Sequence, residues 1–505
     1  MKTIAKFSLV ALVAVFIAYG PALDGPFLLD DSYLPYMQPQ FATAPVTEWL
    51  KGVRPLLMLT YWINYQISGE ATNSYHIVNV ILHFLNSILI YLVVAKLSAT
   101  ARETRFSLSP PALLPGFAAA LFLLHPLQTE SVSYIASRSE TLSVFFFLAA
   151  FTVFLLQNRD RKGVGASFPT AAAILLLFGA ACLTKEHAAI LPALLLLTDY
   201  YWNPGFSLSG IRQNWRVYVP MALAGTLGLA YVWRVLSTAT SAGFAMKELT
   251  WYQYFFTECR AFWHYLLLYL FPFGQNIDHD FPVSHTVFEY GAIVGLIALL
   301  ALIAAAWHWR RTFPLESYGL FTFLLLLAPT SSFIPILDTF VERRMYLPLI
   351  GLLLITVGLL RRWKTHFAIS DNTLKATLSL ILLAMAFLTF QRNQLWGSAI
   401  GMWRDSVTKA PAKFRPRFQL AYAYYTAGQC NEAATEFGQA AQLQKPDYAL
   451  LVDWALSYDC AGNYSAAIDK LNQAAALENS GHVYSQIGML YAKQAKYPQA
   501  LDALE

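Results

Sequence analysis

Apolar stretches close to 20 residues long, such as Val287–Trp307, bound what this chain can be before any other feature does. A helix of that length matches the hydrocarbon thickness of a bilayer, roughly 30 Å. Gly319–Pro329 and Gly351–Leu360 continue the pattern. Composition agrees: 57% of residues are hydrophobic and 13% charged, against about 25% charged in an average soluble domain. A soluble fold of this size is excluded. The chain reads as all-α, a polytopic membrane helix bundle followed by a repeat array. The net charge of +5 lies in short scattered clusters, which is the mark of membrane topology and not of a nucleic-acid surface.

Hydropathy predicts about eleven transmembrane helices, at 4–20, 76–95, 112–124, 140–157, 169–184, 187–202, 217–236, 287–307, 317–337, 346–360 and 374–390. The intervening loops alternate in charge. One set carries Lys2, Lys6, Lys96, Arg102, Arg105, Arg159, Arg161, Lys162, Arg212, Arg216, Arg310, Arg311, Arg361, Arg362 and Lys364. Excess Lys and Arg in short loops marks the cytoplasmic side. The other set carries Asp24, Asp30, Asp31, Glu48, Glu130, Glu140, Glu186, Asp278, Asp280 and Glu342, and is expected outside. Trp251–Gly274 is apolar and aromatic but breaks the alternation, so it is expected to be re-entrant or interfacial on the outer side. Phe7–Tyr19 is expected to stay as an uncleaved helix, leaving the N-terminus inside.

Near the C-terminus, Leu420-Ala421…Tyr424…Gly428…Ala433 recurs as Trp454-Ala455…Tyr458…Gly462…Ala467, and more loosely as Ile487-Gly488…Tyr491…Ala495…Ala500. The tetratricopeptide period of 34 residues fits these offsets. The expected organisation is a membrane domain over 1–392, a linker over 393–413, and about 2.5 repeat units over 414–505. Such arrays present a concave surface for protein or peptide. Cys430 and Cys460 fall in neighbouring repeats and would pair only in an oxidising compartment. Helical repeats rarely need a disulfide, so the reading favours free thiols.

Ionisable residues at the membrane edge are costly and need a reason. Asp30-Asp31 after the first helix offers a general base, a site for a divalent cation, or a solvated turn. Arg54-Pro55 precedes His76, Asn79 and His83, which share one helix face at i, i+3 and i+7; for His83 the reading favours a hydrogen bond to a neighbouring helix. His125, Glu130 and Arg138 suggest an acid–base and anion site. In Lys185-Glu186, either the lysine neutralises its neighbour or it contacts a phosphate. Arg343 and Arg344 sit on the side otherwise poor in cations, where guanidinium forks suit a lipid phosphate.

Those residues carry a family likeness. Asp30-Asp31, Arg54-Pro55-Leu56, Tyr75-His76…Asn79…His83, His125-Pro126…Thr129-Glu130 with Arg138, Lys185-Glu186 and Glu342-Arg343-Arg344…Tyr346-Leu347-Pro348 make the chain resemble the transmembrane and tetratricopeptide-repeat protein O-mannosyltransferases and, more broadly, the GT-C glycosyltransferases. The resemblance implies a glycosyltransferase moving mannose or another hexose, with inversion, from a polyprenyl-phosphate-linked sugar to a hydroxyl acceptor such as protein Ser/Thr. It implies Asp31 or Asp30 as base and Glu130 as a second acidic site residue. Donor contacts would fall to Arg138, Lys185, Arg343 or Arg344, within a substrate site that also holds Arg54, His76, His125 and Glu186. No metal ligand is assigned, although the chemistry is compatible with a divalent ion. The expected setting is a bacterial plasma membrane, with the repeats outside and no nucleic-acid partner. The competing reading is a non-enzymatic scaffold that recruits envelope proteins through the repeats.

Overall fold

The computed structural model describes residues 2–38, 41, 43–101, 113–157, 165–202, 206–238, 243–244 and 246–505. Among them the longer elements are all helices, with no β-strand: α1 (Lys2–Tyr19), α2 (Pro55–Ser68), α3 (Thr72–Thr100), α4 (Leu113–Leu124), α5 (Arg138–Gln157), α6 (Phe168–Cys182), α7 (Leu191–Trp202), α8 (Trp215–Thr238), α9 (Trp251–Leu270), α10 (Ala292–His308), α11 (Pro314–Leu327), α12 (Leu349–His366), α13 (Asp371–Trp396) and α14 (Ala399–Lys409). Six more follow: α15 (Phe414–Thr426), α16 (Cys430–Leu443), α17 (Tyr448–Cys460), α18 (Tyr464–Leu477), α19 (Gly481–Lys493) and α20 (Tyr497–Leu504). The all-α reading is borne out. The chain divides into two compact units, one of residues Met1–Gln275 and Phe281–Trp396, the other of Asn276–Asp280 and Gly397–Glu505.

Every segment expected to span the membrane contains a helix, but their lengths differ. Helices over Thr72–Thr100, Ile135–Gln157, Glu289–His308 and Asp371–Trp396 are long and apolar enough to cross a bilayer; Phe7–Ala22, Leu113–Leu124, Phe168–Cys182 and Pro314–Leu327 are apolar and shorter. The expected span 317–337 stops being helical after Leu327, because Pro329 cannot continue the ladder. Arg102, Arg105, Arg159, Arg161 and Lys162 lie outside the described residues, as do the side chains of Lys2 and Lys6. Pro55–Ser68 is a helix the sequence reading left in a loop. The stretch 393–413, expected as a linker, is mostly helix, from the end of α13 through α14.

Contacts sort the helix ends of the first unit into two groups. At one end Asp31 reaches Ala136, Glu130 meets Arg343, Glu140 meets Lys185, and Arg54 meets Glu186. At the other, Arg216 donates to the Ala166 carbonyl at 3.1 Å, Arg362 pairs with Glu316, and Lys364 pairs with Asp371. Between them lies a continuous apolar core that includes Phe122, Phe147, Phe151, Leu194, Met345 and Leu353. The segment expected to be re-entrant is instead one unbroken helix, α9. Along its length it touches groups at the first end: Tyr254 donates to the Thr330 carbonyl, Glu258 pairs with Arg344, Tyr265 donates to the Val341 carbonyl, and the Tyr269 carbonyl meets His125. It also reaches into the apolar core: the Phe262 ring lies 5.6 Å from that of Phe323 within α11, and the Tyr269 hydroxyl meets Thr356 of α12 at 2.6 Å. Backbone polar groups satisfied within a helix need no cavity around them, which is why the re-entrant form is not needed.

In the second unit the tandem pattern becomes three helix pairs. Each turn closes with the same bond, from the amide of Gln429, Asn463 or Lys496 to the carbonyl of Tyr424, Tyr458 or Tyr491, at 2.9, 2.8 and 2.9 Å. That is the six-to-one bond of a helix ending in a left-handed residue. Gly428 (φ 74°) and Gly462 (φ 76°) supply that residue, and Ala495 (φ 58°) takes the same place in the third unit. Cys430 and Cys460 are joined by a disulfide, with Cα atoms 5.7 Å apart, which corrects the expectation of free thiols. The first begins α16 and the second ends α17, so stacking of consecutive repeats sets them side by side. The pentapeptide Asn276–Asp280 joins this unit through Asp278, whose carboxylate takes two bonds of 2.6 Å from Arg415 and a further one from Lys413. Burial works against the Asp278 carboxylate, but those cations hold its pKa below the usual range.

Helices α11 and α12 cross backbone to backbone at Gly319 and Gly351. A Cβ at Gly351 would lie 2.5 Å from the Gly319 carbonyl oxygen and 2.5 Å from the Phe323 nitrogen. Gly351→Ala is expected to destabilise the first unit by about 1–3 kcal/mol, the usual cost of overpacking, read as a lower melting temperature of the solubilised protein. An unchanged melting temperature contradicts this crossing.

Candidate active site

The first outer turn is built around a strained residue. Leu29 has φ 49°, a left-handed conformation that costs a branched side chain about 1–2 kcal/mol. Three bonds hold it there. The Asp31 carboxylate accepts from the Leu28 amide at 2.9 Å through Oδ2 and from the Ala136 amide at 2.7 Å through Oδ1. The Asp30 amide donates to the Tyr134 hydroxyl at 2.8 Å. Asp31 is thereby buried at 1% exposure, whereas Asp30 is exposed. Burial pushes the Asp31 carboxyl up to about 8, with Asp30 adding to the rise, against the pull of the two amides and of Arg138.

The facing segment, 132–138, is fixed from the other side. Asn79 donates to the carbonyls of Val132, Tyr134 and Ile135 at 3.2–3.4 Å. The Asn79 side-chain oxygen accepts from Arg138 at 3.0 Å. Arg138, fully buried, also donates to Asn64 Oδ1 at 2.8 Å and the Tyr75 carbonyl at 3.1 Å, and its guanidinium lies 4.5 Å from the Tyr61 ring centroid. Its fork is engaged by protein, so it orders the turn and is not presented to a phosphate. His125 is likewise committed: Nδ1 accepts from the Leu127 amide at 3.2 Å and Nε2 faces the Tyr269 carbonyl at 2.9 Å. Burial pushes its imidazole down to about 4, so it is neutral at pH 7. His76 faces the Gly25 carbonyl at 3.2 Å; His83 meets the Tyr346 hydroxyl at 2.9 Å and, as expected of a contact between helices, the Leu123 carbonyl of α4 at 3.1 Å.

Three ion pairs complete this end. Glu130 is buried and grips Arg343 twice, at 2.6 Å to the guanidinium and 3.0 Å to the backbone amide. Burial works against the charge on Arg343, and Glu130 more than restores it. Lys185 pairs with Glu140, not with its neighbour Glu186, which takes a bidentate fork from Arg54 at 2.9 and 3.0 Å. Lys185 is extended (φ −157°, ψ 136°), so adjacent side chains leave on opposite sides. Burial lowers the Lys185 pKa, against the pull of Glu140, which favours the charged form. Tyr134, which holds the Asp30 amide, lies four residues along from Glu130, the partner of Arg343. Arg344 turns away toward Glu258 at 3.3 Å and the Thr339 carbonyl at 2.9 Å. Of the residues expected at the site, Asp30, Asp31, Glu130 and Arg343 meet on the segment 130–136, Lys185 meets Glu140 in the first turn of α5, Arg54 meets Glu186 beside it, and Arg138 braces the segment from behind. Arg344, His76 and His125 serve neighbouring packing. Glu140 and Tyr134 were missed; Glu140 stood in plain view as a second charge in the first turn of an apolar helix.

No protein-family profile matches the chain. Curated relatives do. Over 422 residues, 73% of this chain and 55% of the relative, it is 26% identical to human Protein O-mannosyl-transferase TMTC4. Over 495 residues, 85% of this chain and 54% of the relative, it is 25% identical to human Protein O-mannosyl-transferase TMTC1. Protein O-mannosyl-transferase F38B6.6 of Caenorhabditis elegans is 23% identical over 412 residues, 79% of this chain and 54% of that protein. The resemblance to protein O-mannosyltransferases read from the sequence is borne out, and with the apolar helices it marks a multi-pass membrane protein. The chain spans about half the length of the curated relatives it matches.

Because Asp31 is held neutral by burial, its contribution to stability is full below the unfolded carboxyl pKa and is lost as pH rises through about 8. The melting temperature is therefore expected to fall between about pH 4 and pH 8 and to level off above that, and Asp31→Asn should flatten that slope while lowering the temperature itself. A wild-type slope retained in Asp31→Asn contradicts the assignment.

Proposed function

We propose that the chain is a membrane glycosyltransferase that moves a hexose, mannose by similarity, from a polyprenyl-phosphate donor to a protein Ser/Thr hydroxyl at the outer membrane surface. The observation that carries this reading is an exposed carboxylate, Asp30, on a strained turn anchored to Tyr134, four residues along from Glu130, which grips Arg343. Strain held by several long-range bonds is a recurrent property of catalytic turns. In the proposed step the acceptor oxygen attacks the anomeric carbon. The bond from that carbon to the phosphate oxygen breaks, and its electron pair leaves with the phosphate. The acceptor proton passes to Asp30. Arg343 and Arg54, whose side chains are 23% and 36% exposed, and Lys185 behind them offset the charge that builds on the leaving group. Asp31 is a positioning residue in this scheme. The names of the relatives support a mannosyl donor sugar and a protein acceptor.

A bacterial plasma membrane, with the N-terminus inside and the repeats outside, is the setting we favour. Two features support the orientation: among the described residues Arg216 and Arg362 fall at the end opposite the charged cluster, and the Cys430–Cys460 disulfide suits an oxidising compartment.

The test is transfer of mannose from polyprenyl-phosphate-mannose to a Ser/Thr peptide by the full chain in nanodiscs. Asp30→Asn is expected to lower the rate by at least about 10²-fold, the low end for loss of a general base, with an unchanged melting temperature. Wild-type rates in Asp30→Asn contradict the base assignment. No transfer by the wild type, with envelope proteins captured through residues 414–505, returns the scaffold reading.

A further inference from the structure

Arg54, Lys185, Arg343 and Arg344 each face a carboxylate. Arg260 on α9 forms no ion pair among the described residues. Its guanidinium donates to the Pro282 carbonyl at 2.8 Å and to Ser284 Oγ at 3.0 Å, and lies between the rings of Phe281 and Tyr290, 4.7 and 4.8 Å from their centroids. It borders an open cavity of about 340 Å³ between α9 and the first turns of α10. His264 lines the same cavity, and its other wall is apolar, formed by Val294 and Ala298. Val294 is 67% exposed and Ile297 60%, on a helix long and apolar enough to cross a bilayer. The cavity thus joins a cation on α9 with no carboxylate partner among the described residues to the exposed apolar flank of α10, a helix long and apolar enough to cross a bilayer.

We propose that this cavity binds an anionic phospholipid, its phosphate against Arg260 and one acyl chain along Val294 and Ala298. A monoanionic phosphate supplies the charge the arginine lacks, and guanidinium forks match its oxygens. The site goes beyond the transferase reading and is separate from the donor. None of the residues lining the cavity belongs to the cluster around Arg343, and Phe281, which closes it, stacks on buried Phe340 at 5.1 Å. A lipid held here is not presented to Asp30.

The full chain is placed in nanodiscs of mixed phosphatidylglycerol and phosphatidylcholine, and retained lipid is counted by native mass spectrometry after release. Wild type is expected to retain phosphatidylglycerol about fivefold over phosphatidylcholine, the factor expected of one basic residue at a membrane surface. Arg260→Gln removes the preference. Ala298→Trp fills the apolar side without touching the guanidinium and also removes it, so the test stands if Arg260→Gln fails to fold; melting temperatures in phosphatidylcholine discs identify that case. Equal retention of the two lipids by wild type, or an undiminished preference in the folded variants, overturns the proposal. Displacement of the bound lipid by polyprenyl phosphate, with a raised donor KM in Arg260→Gln, also overturns it by assigning the cavity to the donor, and leaves the role of Asp30 intact.

Discussion

The bridge from the Asp31 carboxylate to the amides of Leu28 and Ala136 is the constraint on which the rest of this end of the molecule depends. It ties the turn after α1 to the segment before α5, two stretches more than a hundred residues apart. It also keeps Leu29 left-handed. Without a side chain accepting from both amides, burial would leave two unsatisfied donors, each costing about 1–3 kcal/mol. One carboxylate is spent on holding the backbone, and its neighbour is thereby turned outward. The division of labour between two adjacent aspartates follows from which oxygens the amides need.

The cations nearby obey the same logic. A guanidinium or ammonium at a membrane edge carries a large desolvation cost unless a carboxylate meets it. Glu130, Glu140 and Glu186 meet Arg343, Lys185 and Arg54. These pairs hold positive charge in fixed places, with enough exposure at Arg343 and Arg54 to receive an anion. Arg138 is satisfied by amides, a carbonyl and aromatic faces, and its work is to brace Asn79 and the segment that Asp31 grips. Arg260 meets no carboxylate among the described residues and borders an open cavity, which is what makes that cavity worth filling with a phosphate.

Much of the fold was legible because hydropathy and tandem glycines act locally. An apolar run must be helical in lipid whatever surrounds it, and Gly428 and Gly462 announce left-handed turns on their own. The membrane domain's length variation was not legible, since the end of α11 depends on Pro329 and not on mean hydropathy. The residues of the charged cluster were legible as a set. Their partners were not: Lys185 looked complementary to Glu186, but an extended backbone sends the two apart. Asp30 and Asp31 were indistinguishable in sequence because their difference lies in amides contributed by Leu28 and Ala136. His125 and Arg138 looked reactive for the same reason; the carbonyls and amides that occupy them are invisible in a string of side chains.

Carboxyl footprinting tests the central claim most directly. The full chain in detergent is treated with carbodiimide and glycine ethyl ester near neutral pH, and labelled peptides are located by fragmentation mass spectrometry. A clamp that buries one aspartate and presents the other predicts label on Asp30 and none on Asp31 in the folded protein, with both labelled after unfolding. Label on Asp31 in the folded protein, or protection of Asp30, would contradict the account.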